Sequence, residues 1–204
     1  MRISIGDMSI FPNSTTLVVG SETNTSAYPR SLPQSEPFRA FTHNIPSGRT
    51  VTKIDFSAAN LTFSGMKAVD YFGDGSFLNA STPGHLPGHL SALARVTPTT
   101  FIALGGDTFH HVAETSISTD YFWSPDSSDG AFDKLSRAQQ FFVISDLPDS
   151  FAADPVTAQI SLEKIATFDA DPDIFVAVAH DSSLMSSIPY FPAYLNDWQA
   201  SGLK

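Results

Sequence analysis

The sequence predicts an α+β fold, in which a β-rich first half is followed by a helix and one buried strand. Short runs of β-branched and aromatic residues, separated by turn residues, dominate residues 15–104. A helix start signal follows at residue 154, and the apolar run 173–179 then has the composition of a central strand. This order favours a sheet covered by helices, with functional residues at the strand ends.

Composition narrows the class of protein. A chain of 204 residues, 42% hydrophobic and 16% charged, suits one globular domain with a substantial core. The net charge of −10 opposes a basic surface, so neither nucleic acid nor a membrane is expected as a partner. Cysteine is absent, so a metal site would have to use histidine and carboxylate ligands. No apolar stretch has the length of a signal peptide or membrane span, which makes a cytoplasmic protein the expectation.

The predicted strands share alternating or β-branched residues bounded by turn residues; they are 15–19, 50–56, 61–63, 67–72, 76–79, 90–96 and 100–104. Asp74-Gly75 between two apolar runs predicts a hairpin rather than a phosphate-binding loop. A turn at Pro98 joins the last two strands. Residues 21–49 and 112–132 lack clear periodicity, so we expect them to be loops that shape a substrate pocket.

Helices are predicted in the second half of the chain. Asp154 is a good N-cap and Pro155 suits the first helical position, so a helix should run to about residue 168. Its apolar side would consist of Ala158, Ile160, Leu162 and Ile165. A further helix is predicted at 133–142, and a short helix or turn at 189–198.

Three residues whose side chains can bind a metal ion, called metal-type residues below, each come just after a predicted strand: His85, Asp107 and His180. Neighbouring strand ends of one sheet can bring such side chains together, and imidazole and carboxylate groups are zinc ligands. Each residue also has an ordinary interpretation. A histidine at a strand end is often a satisfied surface or core residue, and an aspartate after Gly-Gly is often a turn former.

Other histidines are weaker candidates. His89 either supports the site or simply begins a strand. His110 and His111 follow Asp107, and if they lie on a strand only one can face inward.

A Ser/His/Asp triad is disfavoured, because the sequence contains no G-x-S-x-G nucleophile elbow.

Four segments resemble, in order and spacing, the metallo-β-lactamase-fold metallo-hydrolase superfamily; they are FGDGS at 72–76, TPGHLPGH at 82–89, LGGD at 104–107 and AVAHD at 177–181. The likeness is greatest to its lactonase-like and glyoxalase-II-like members and to fungal metallo-β-lactamase-like proteins, and it covers residues 5–200. It implies an αββα sandwich, with residues 1–204 forming a single partial domain of that type.

The resemblance also implies roles for individual residues. His85 is similar to the histidine of the first metal site, Asp107 to the carboxylate that bridges two zinc ions, and His180 to the histidine of the second site. His89 matches a position that supports the site. His110 stands where lactonase-like members have a tyrosine that helps to bind the substrate carbonyl, so it is a candidate catalytic residue beside Asp107. The implied reaction is hydrolysis of a small ester, lactone or thioester by a zinc-bound hydroxide, with an acyl- or lactone-type substrate.

The sequence departs from the family at its start. The His-x-His-x-Asp-His motif, which supplies two ligands to each metal, does not occur; it would precede the IGD at 5–7, where this chain has MRIS. Each metal would keep two protein ligands, fewer than catalytic zinc usually has. We therefore expect an N-terminally incomplete domain, lacking the first sheet strands, that is inactive or impaired and holds well below two zinc ions.

Two alternatives remain. The first is a non-catalytic short form that acts as a binding or structural protein. The second is an unrelated acidic binding module, which predicts that His85, Asp107 and His180 lie far apart.

Overall fold

The fold was analysed in a computed structural model, which describes residues 11–25, 49–109, 144–147, 150–190 and 192–204. The predicted helix at 133–142 and the predicted loop at 112–132 lie outside these ranges, as does most of the predicted loop at 21–49.

The centre of the fold is a six-stranded sheet whose strands lie in chain order: β3 (Leu61–Phe63), β4 (Met66–Asp70), β5 (Phe77–Ser81), β6 (Leu90–Arg95), β7 (Phe101–Gly106) and β8 (Ile174–Val178). Neighbouring strands are antiparallel except β7 and β8, which are parallel. The crossover between these two contains α1 (Pro155–Asp169). The α+β prediction and its strands are confirmed, with shifts at the strand ends.

A second, two-stranded sheet comes from the start of the described chain. β1 (Leu17–Gly20) pairs in parallel with β2 (Val51–Ile54). The buried guanidinium of Arg49 holds the turn before β1, because it donates to the carbonyls of Pro12 and Thr15 at 3.0 and 2.7 Å. The sequence predicted both strands but not their parallel pairing.

The predicted hairpin joins β4 to β5. Both carboxylate oxygens of Asp70 accept backbone hydrogen bonds, from the amide of Gly73 at 2.9 Å and that of Gly75 at 2.7 Å. Both glycines have positive φ, 76° and 74°, a conformation that favours glycine. The GDG segment is therefore a turn, as its composition predicted.

Helix α1 begins as predicted. Asp154 accepts hydrogen bonds from the backbone and hydroxyl of Thr157, at 3.1 and 2.6 Å, and Pro155 follows it. The buried stripe faces the sheet and consists of Ala158, Ser161, Leu162, Ile165, Ala166 and Phe168. The prediction was wrong for Ile160, which is 47% exposed because it lies about 200° around the helix from Ala158.

The two faces of the main sheet are covered differently. Helix α1 packs on one face, where Leu162 and Ile165 meet Leu93 and Ala103. On the other face Trp198 stacks on Phe175 with ring centroids 5.6 Å apart. Leu104, on β7 between β6 and β8, remains 43% exposed on that second face.

The end of the chain contains a 3₁₀ helix, Ser182–Ser186, which the sequence did not predict. The described part of 189–198 consists of turns and irregular backbone, the second of the two predicted possibilities. Within the ranges the structure describes, no helix is long and apolar enough to cross a membrane.

Candidate metal centre

His85 lies in a loop between β5 and β6 that docks against the N-terminal end of α1. The amides of Asp154 and Ala153 donate hydrogen bonds to the carbonyls of Gly84 and His85, both at 2.9 Å. Gly84 has a φ of +125°, and a Cβ there would lie 2.1 Å from the amide nitrogen of Ala158. Only glycine allows this approach, and the docking leaves the His85 side chain 3% exposed.

Asp107 follows β7 on a turn that requires both preceding glycines. A Cβ at Gly105 would lie 2.7 Å from Cγ1 of Val178 on β8. Gly106 has a φ of +59°, and a Cβ there would lie 3.0 Å from Nε2 of His89. The Gly-Gly-Asp pattern is explained by this packing, which holds the Asp107 carboxylate at 17% exposure.

His180 comes just after β8. The amide of Ala179 donates to the carbonyl of Gly106 at 3.0 Å, which extends the β7–β8 contact to the Gly-Gly-Asp turn. Asp181 then caps the 3₁₀ helix by accepting a hydrogen bond from the amide of Ser183 at 2.9 Å. His180 is thereby held beside Asp107, with its side chain 11% exposed.

The three predicted metal-type side chains meet at Asp107. Nε2 of His85 lies 3.6 Å from Oδ2 of Asp107, and Nε2 of His180 lies 3.2 Å from Oδ1. Each carboxylate oxygen thus faces one imidazole. This proximity contradicts the interpretation as an unrelated binding module, which required the three side chains to lie far apart.

The two imidazoles and the carboxylate that meet at Asp107 match part of the ligand set of a metal site. Zinc binds imidazole nitrogen and carboxylate oxygen, and a catalytic zinc usually has three protein ligands. Oδ1 of Asp107 is buried and accepts no hydrogen bond within the described chain, so its lone pairs are available to an ion. Among the described residues no group of three or more His, Asp or Glu is arranged to hold one ion. The described residues therefore supply a partial set, with one imidazole on each side of Asp107.

Burial lowers the pKa of His85. The Asp107 carboxylate opposes this shift, whereas His89 and His180 add to it. The lowered pKa favours the neutral imidazole, which keeps a lone pair and can bind a metal.

His89 contacts the Asp107 backbone rather than its carboxylate. The amide of Asp107 donates a hydrogen bond to Nε2 of His89 at 3.1 Å. Nε2 must therefore be the acceptor, so the neutral ring carries its proton on Nδ1, which lies 2.9 Å from Oγ1 and 3.0 Å from the carbonyl of Thr82. With its Nε2 lone pair used in this way, His89 has the geometry of a supporting residue.

Sequence reasoning missed three buried hydroxyls beneath the Asp107 turn: Thr82, Ser91 and Thr108. The sequence did contain one sign that Ser91 is buried. Ser91 lies two residues before Leu93 on β6, so it faces the same side of the sheet as this core residue. His110 lies outside the described residues, so its role stays a prediction.

Comparison with known proteins finds several similar proteins, all longer than this chain. The chain is 37% identical over 203 residues to the cytochrome P450 monooxygenase mpaDE of Penicillium brevicompactum, covering 96% of this chain and 23% of that protein. It is 34% identical over 215 residues to the metallo-hydrolase mfmC of Annulohypoxylon moriforme, covering 98% and 55%. It is 31% identical over 218 residues to the gamma-lactamase FDB1 of Fusarium pseudograminearum, covering 98% and 52%. The chain thus spans about a quarter of the first relative and about half of the other two.

The name of the first relative does not describe this chain. P450 enzymes hold haem iron through a cysteine thiolate, and these 204 residues contain no cysteine. No family model matches the sequence.

Solved structures identify the fold. An N-acyl homoserine lactone hydrolase, with the product N-hexanoyl-L-homoserine at its catalytic metal centre, superposes with a TM-score of 0.52 at 15% identity, covering 89% of this chain and 53% of that one. A mutant of AiiA from B. thuringiensis, with N-decanoyl-L-homoserine at its active site, gives the same values. The fold is therefore that of a metallo-β-lactamase αββα sandwich, of which this chain covers about half. Together with the similarity to proteins named metallo-hydrolase and gamma-lactamase, this fold supports a metallo-β-lactamase-fold hydrolase family for the chain.

Proposed function

We propose that this chain carries part of the zinc site of a hydrolase that cleaves ester, lactone or thioester bonds. One observation carries the proposal: His85 and His180 contact opposite oxygens of the Asp107 carboxylate, at 3.6 and 3.2 Å. A carboxylate placed between two imidazoles is suited to bridge two ions. The metallo-hydrolase and gamma-lactamase relatives support a hydrolytic reaction.

Each residue has a defined task in this proposal. Zinc, when bound, would supply Lewis-acid polarisation of a carbonyl and a water of lowered pKa. His85, kept neutral by burial, offers Nε2 on one side of Asp107, and His180 offers Nε2 on the other. Asp107 orients both donors, and His89 holds the Asp107 backbone. His110 is proposed to contact the substrate carbonyl.

The proposed substrate is a small molecule with a cyclic or activated carbonyl. One relative is named a gamma-lactamase, and two structural neighbours hold an N-acyl homoserine, so a lactone or lactam with an apolar acyl group is the class we favour.

We further propose that the chain alone is impaired, because among the described residues each side of Asp107 has one imidazole, whereas catalytic zinc usually has three protein ligands. The alternative is a non-catalytic binding or structural form. The described residues offer no group of three or more metal-type side chains around one ion, which is also what a non-catalytic binding or structural form would show.

Hydrolysis of aryl esters, γ-lactones and γ-lactams by the purified chain, with and without added zinc, decides between these functions. The proposal predicts slow, zinc-dependent hydrolysis that Asp107→Asn abolishes. Asp74→Asn is the matched control, because Asp74 lies in the hairpin at the opposite end of β5 and should leave the rate unchanged. Hydrolysis that does not depend on zinc would contradict the proposed zinc site, and no hydrolysis at all would decide for the non-catalytic form.

A further inference from the structure

A chain of hydrogen bonds runs beneath the Asp107 turn, and its two ends belong to that same turn. It begins at the amide of Asp107, which donates to Nε2 of His89 at 3.1 Å. Nδ1 of His89 lies 2.9 Å from Oγ1 of Thr82, and that oxygen lies 2.9 Å from Oγ of Ser91. Ser91 Oγ donates to the carbonyl of Gly105 at 3.2 Å.

The two ends favour one direction for the protons between them, and Nδ1 of His89 has a second acceptor at 3.0 Å in the backbone carbonyl of Thr82. An amide only donates and a carbonyl only accepts, so His89 accepts at Nε2 and donates from Nδ1. When Nδ1 donates to Oγ1 of Thr82, that hydroxyl is free to donate its own proton to Oγ of Ser91. Ser91 passes its own proton to Gly105. The reverse orientation would place two protons between Thr82 Oγ1 and Nδ1 of His89.

Thr108 adds a parallel route to the same end. Its Oγ1 lies 3.2 Å from Ser91 Oγ and donates to the Gly105 carbonyl at 2.5 Å. Whether Ser91 donates to Thr108 or to Gly105, the chain of hydrogen bonds ends on the carbonyl oxygen of Gly105.

We propose that Thr82 and Ser91 are positioning residues, which close a one-directional ring of hydrogen bonds through His89 and thereby fix where Asp107 stands relative to His85. The ring joins the two segments that carry these residues, because Thr82 and His89 bracket the His85 loop while Gly105 and Thr108 bracket Asp107. All three hydroxyls are buried, so water cannot readily replace a lost partner. Hydrogen bonds that run in one direction also polarise one another, so the loss of one member weakens the others.

The ring itself does not depend on the proposed function, but its effect on metal affinity does. Supporting hydrogen bonds of this kind typically change metal affinity by about 10–100-fold. A change in the Asp107 position should therefore be measurable as weaker zinc binding.

Thr82→Val and Thr82→Ser test the ring as a pair. Valine keeps the shape of threonine and removes the hydroxyl, whereas serine keeps the hydroxyl. The readouts are the ¹⁵N shifts of the His89 imidazole, which report the tautomer, and the hydrogen-exchange rate of the Asp107 amide. We expect the Nδ1–H tautomer in the wild-type chain and in Thr82→Ser. In Thr82→Val the backbone carbonyl at position 82 still accepts from Nδ1, so we expect the same tautomer but an Asp107 amide that exchanges about 10-fold faster, after correction for global stability.

Thr100→Val is the control, because it removes a buried hydroxyl that bonds Thr97 at 2.6 Å in the turn at the other end of β7. It should leave both readouts unchanged. If Thr82→Val does not fold, Ser91→Ala removes the next member of the ring and should give the same result. An Nε2–H tautomer in the wild-type chain, or Asp107 exchange unchanged by both ring variants, would overturn the proposal.

Zinc titration of the same variants separates this proposal from the proposed function. Weaker binding in Thr82→Val with binding kept in Thr82→Ser supports both. If the wild-type chain binds no zinc, the proposed function fails, and the tautomer and exchange readouts still decide the ring.

Discussion

Nε2 of His180 lies 3.2 Å from Oδ1 of Asp107, although the two residues follow different strands. The contact exists because β7 and β8 are parallel neighbours, so that their C-terminal ends lie at the same edge of the sheet. Helix α1 supplies the crossover that makes this pairing possible. The same helix receives the His85 loop at its N-terminal end. One helix therefore positions residues on both sides of the Asp107 carboxylate.

The docking of the His85 loop predicts a strong effect of Gly84→Ala. The new Cβ would lie 2.1 Å from the amide nitrogen of Ala158, at a φ of +125°. We expect a loss of about 3–5 kcal/mol in the free energy of unfolding, measured by urea denaturation. Gly73→Ala is the control, because Gly73 also has a positive φ but nothing within 4 Å, so it should lose only about 1–2 kcal/mol. Equal losses in the two variants would contradict the proposed docking.

The buried stripe of α1 predicts different effects at two apolar positions of one helix. Leu162 is fully buried against the sheet, whereas Ile160 is about half exposed. Leu162→Ala should lower the free energy of unfolding by about 2–5 kcal/mol, because it leaves a cavity. Ile160→Ala should change it by about 0.5 kcal/mol. Chemical denaturation of both variants checks this, and a larger loss for Ile160→Ala would mean that the helix faces the sheet differently.

The N-cap of α1 predicts a dependence of stability on pH. Hydrogen bonds from the side chain and backbone of Thr157 lower the pKa of the Asp154 carboxyl. A lowered folded-state pKa stabilises the fold above the unfolded pKa of about 4, and this contribution is lost as the pH falls through the folded value. Asn also caps helices but carries no charge, so Asp154→Asn isolates the charge. Its Tm should lie below that of the wild-type chain near neutral pH; the difference should shrink below about pH 4 and disappear once the pH is below the lowered folded-state pKa. A difference that persists in acid would show that charge is not the cause.

The elements that the sequence predicted well are those set by local chemistry. The GDG hairpin depends on a carboxylate and two glycines within six residues, and the start of α1 depends on Asp154 and Pro155. The strand ends that carry the metal-type residues were equally visible, because apolar runs stop at turn residues.

The features that the sequence did not predict depend on contacts between distant segments. The parallel pairing of β1 with β2 has no local signal. Ile160 was assigned to the buried side because it is apolar, whereas its angular position on the helix decides its exposure. The ring through Thr82 and Ser91 requires two loops to meet, and a buried serine in a strand indicates only that some partner exists.

Zinc binding by the purified chain, measured by titration calorimetry and by metal content in mass spectrometry, tests the central claim most directly. The claim predicts weak binding of well below two zinc ions per chain, because the residues that the structure describes give each side of Asp107 a partial ligand set. Asp107→Asn should abolish this binding, whereas Asp74→Asn should leave it unchanged. Zinc binding that survives Asp107→Asn, two tightly held ions in the wild-type chain, or no zinc binding at all would contradict the claim.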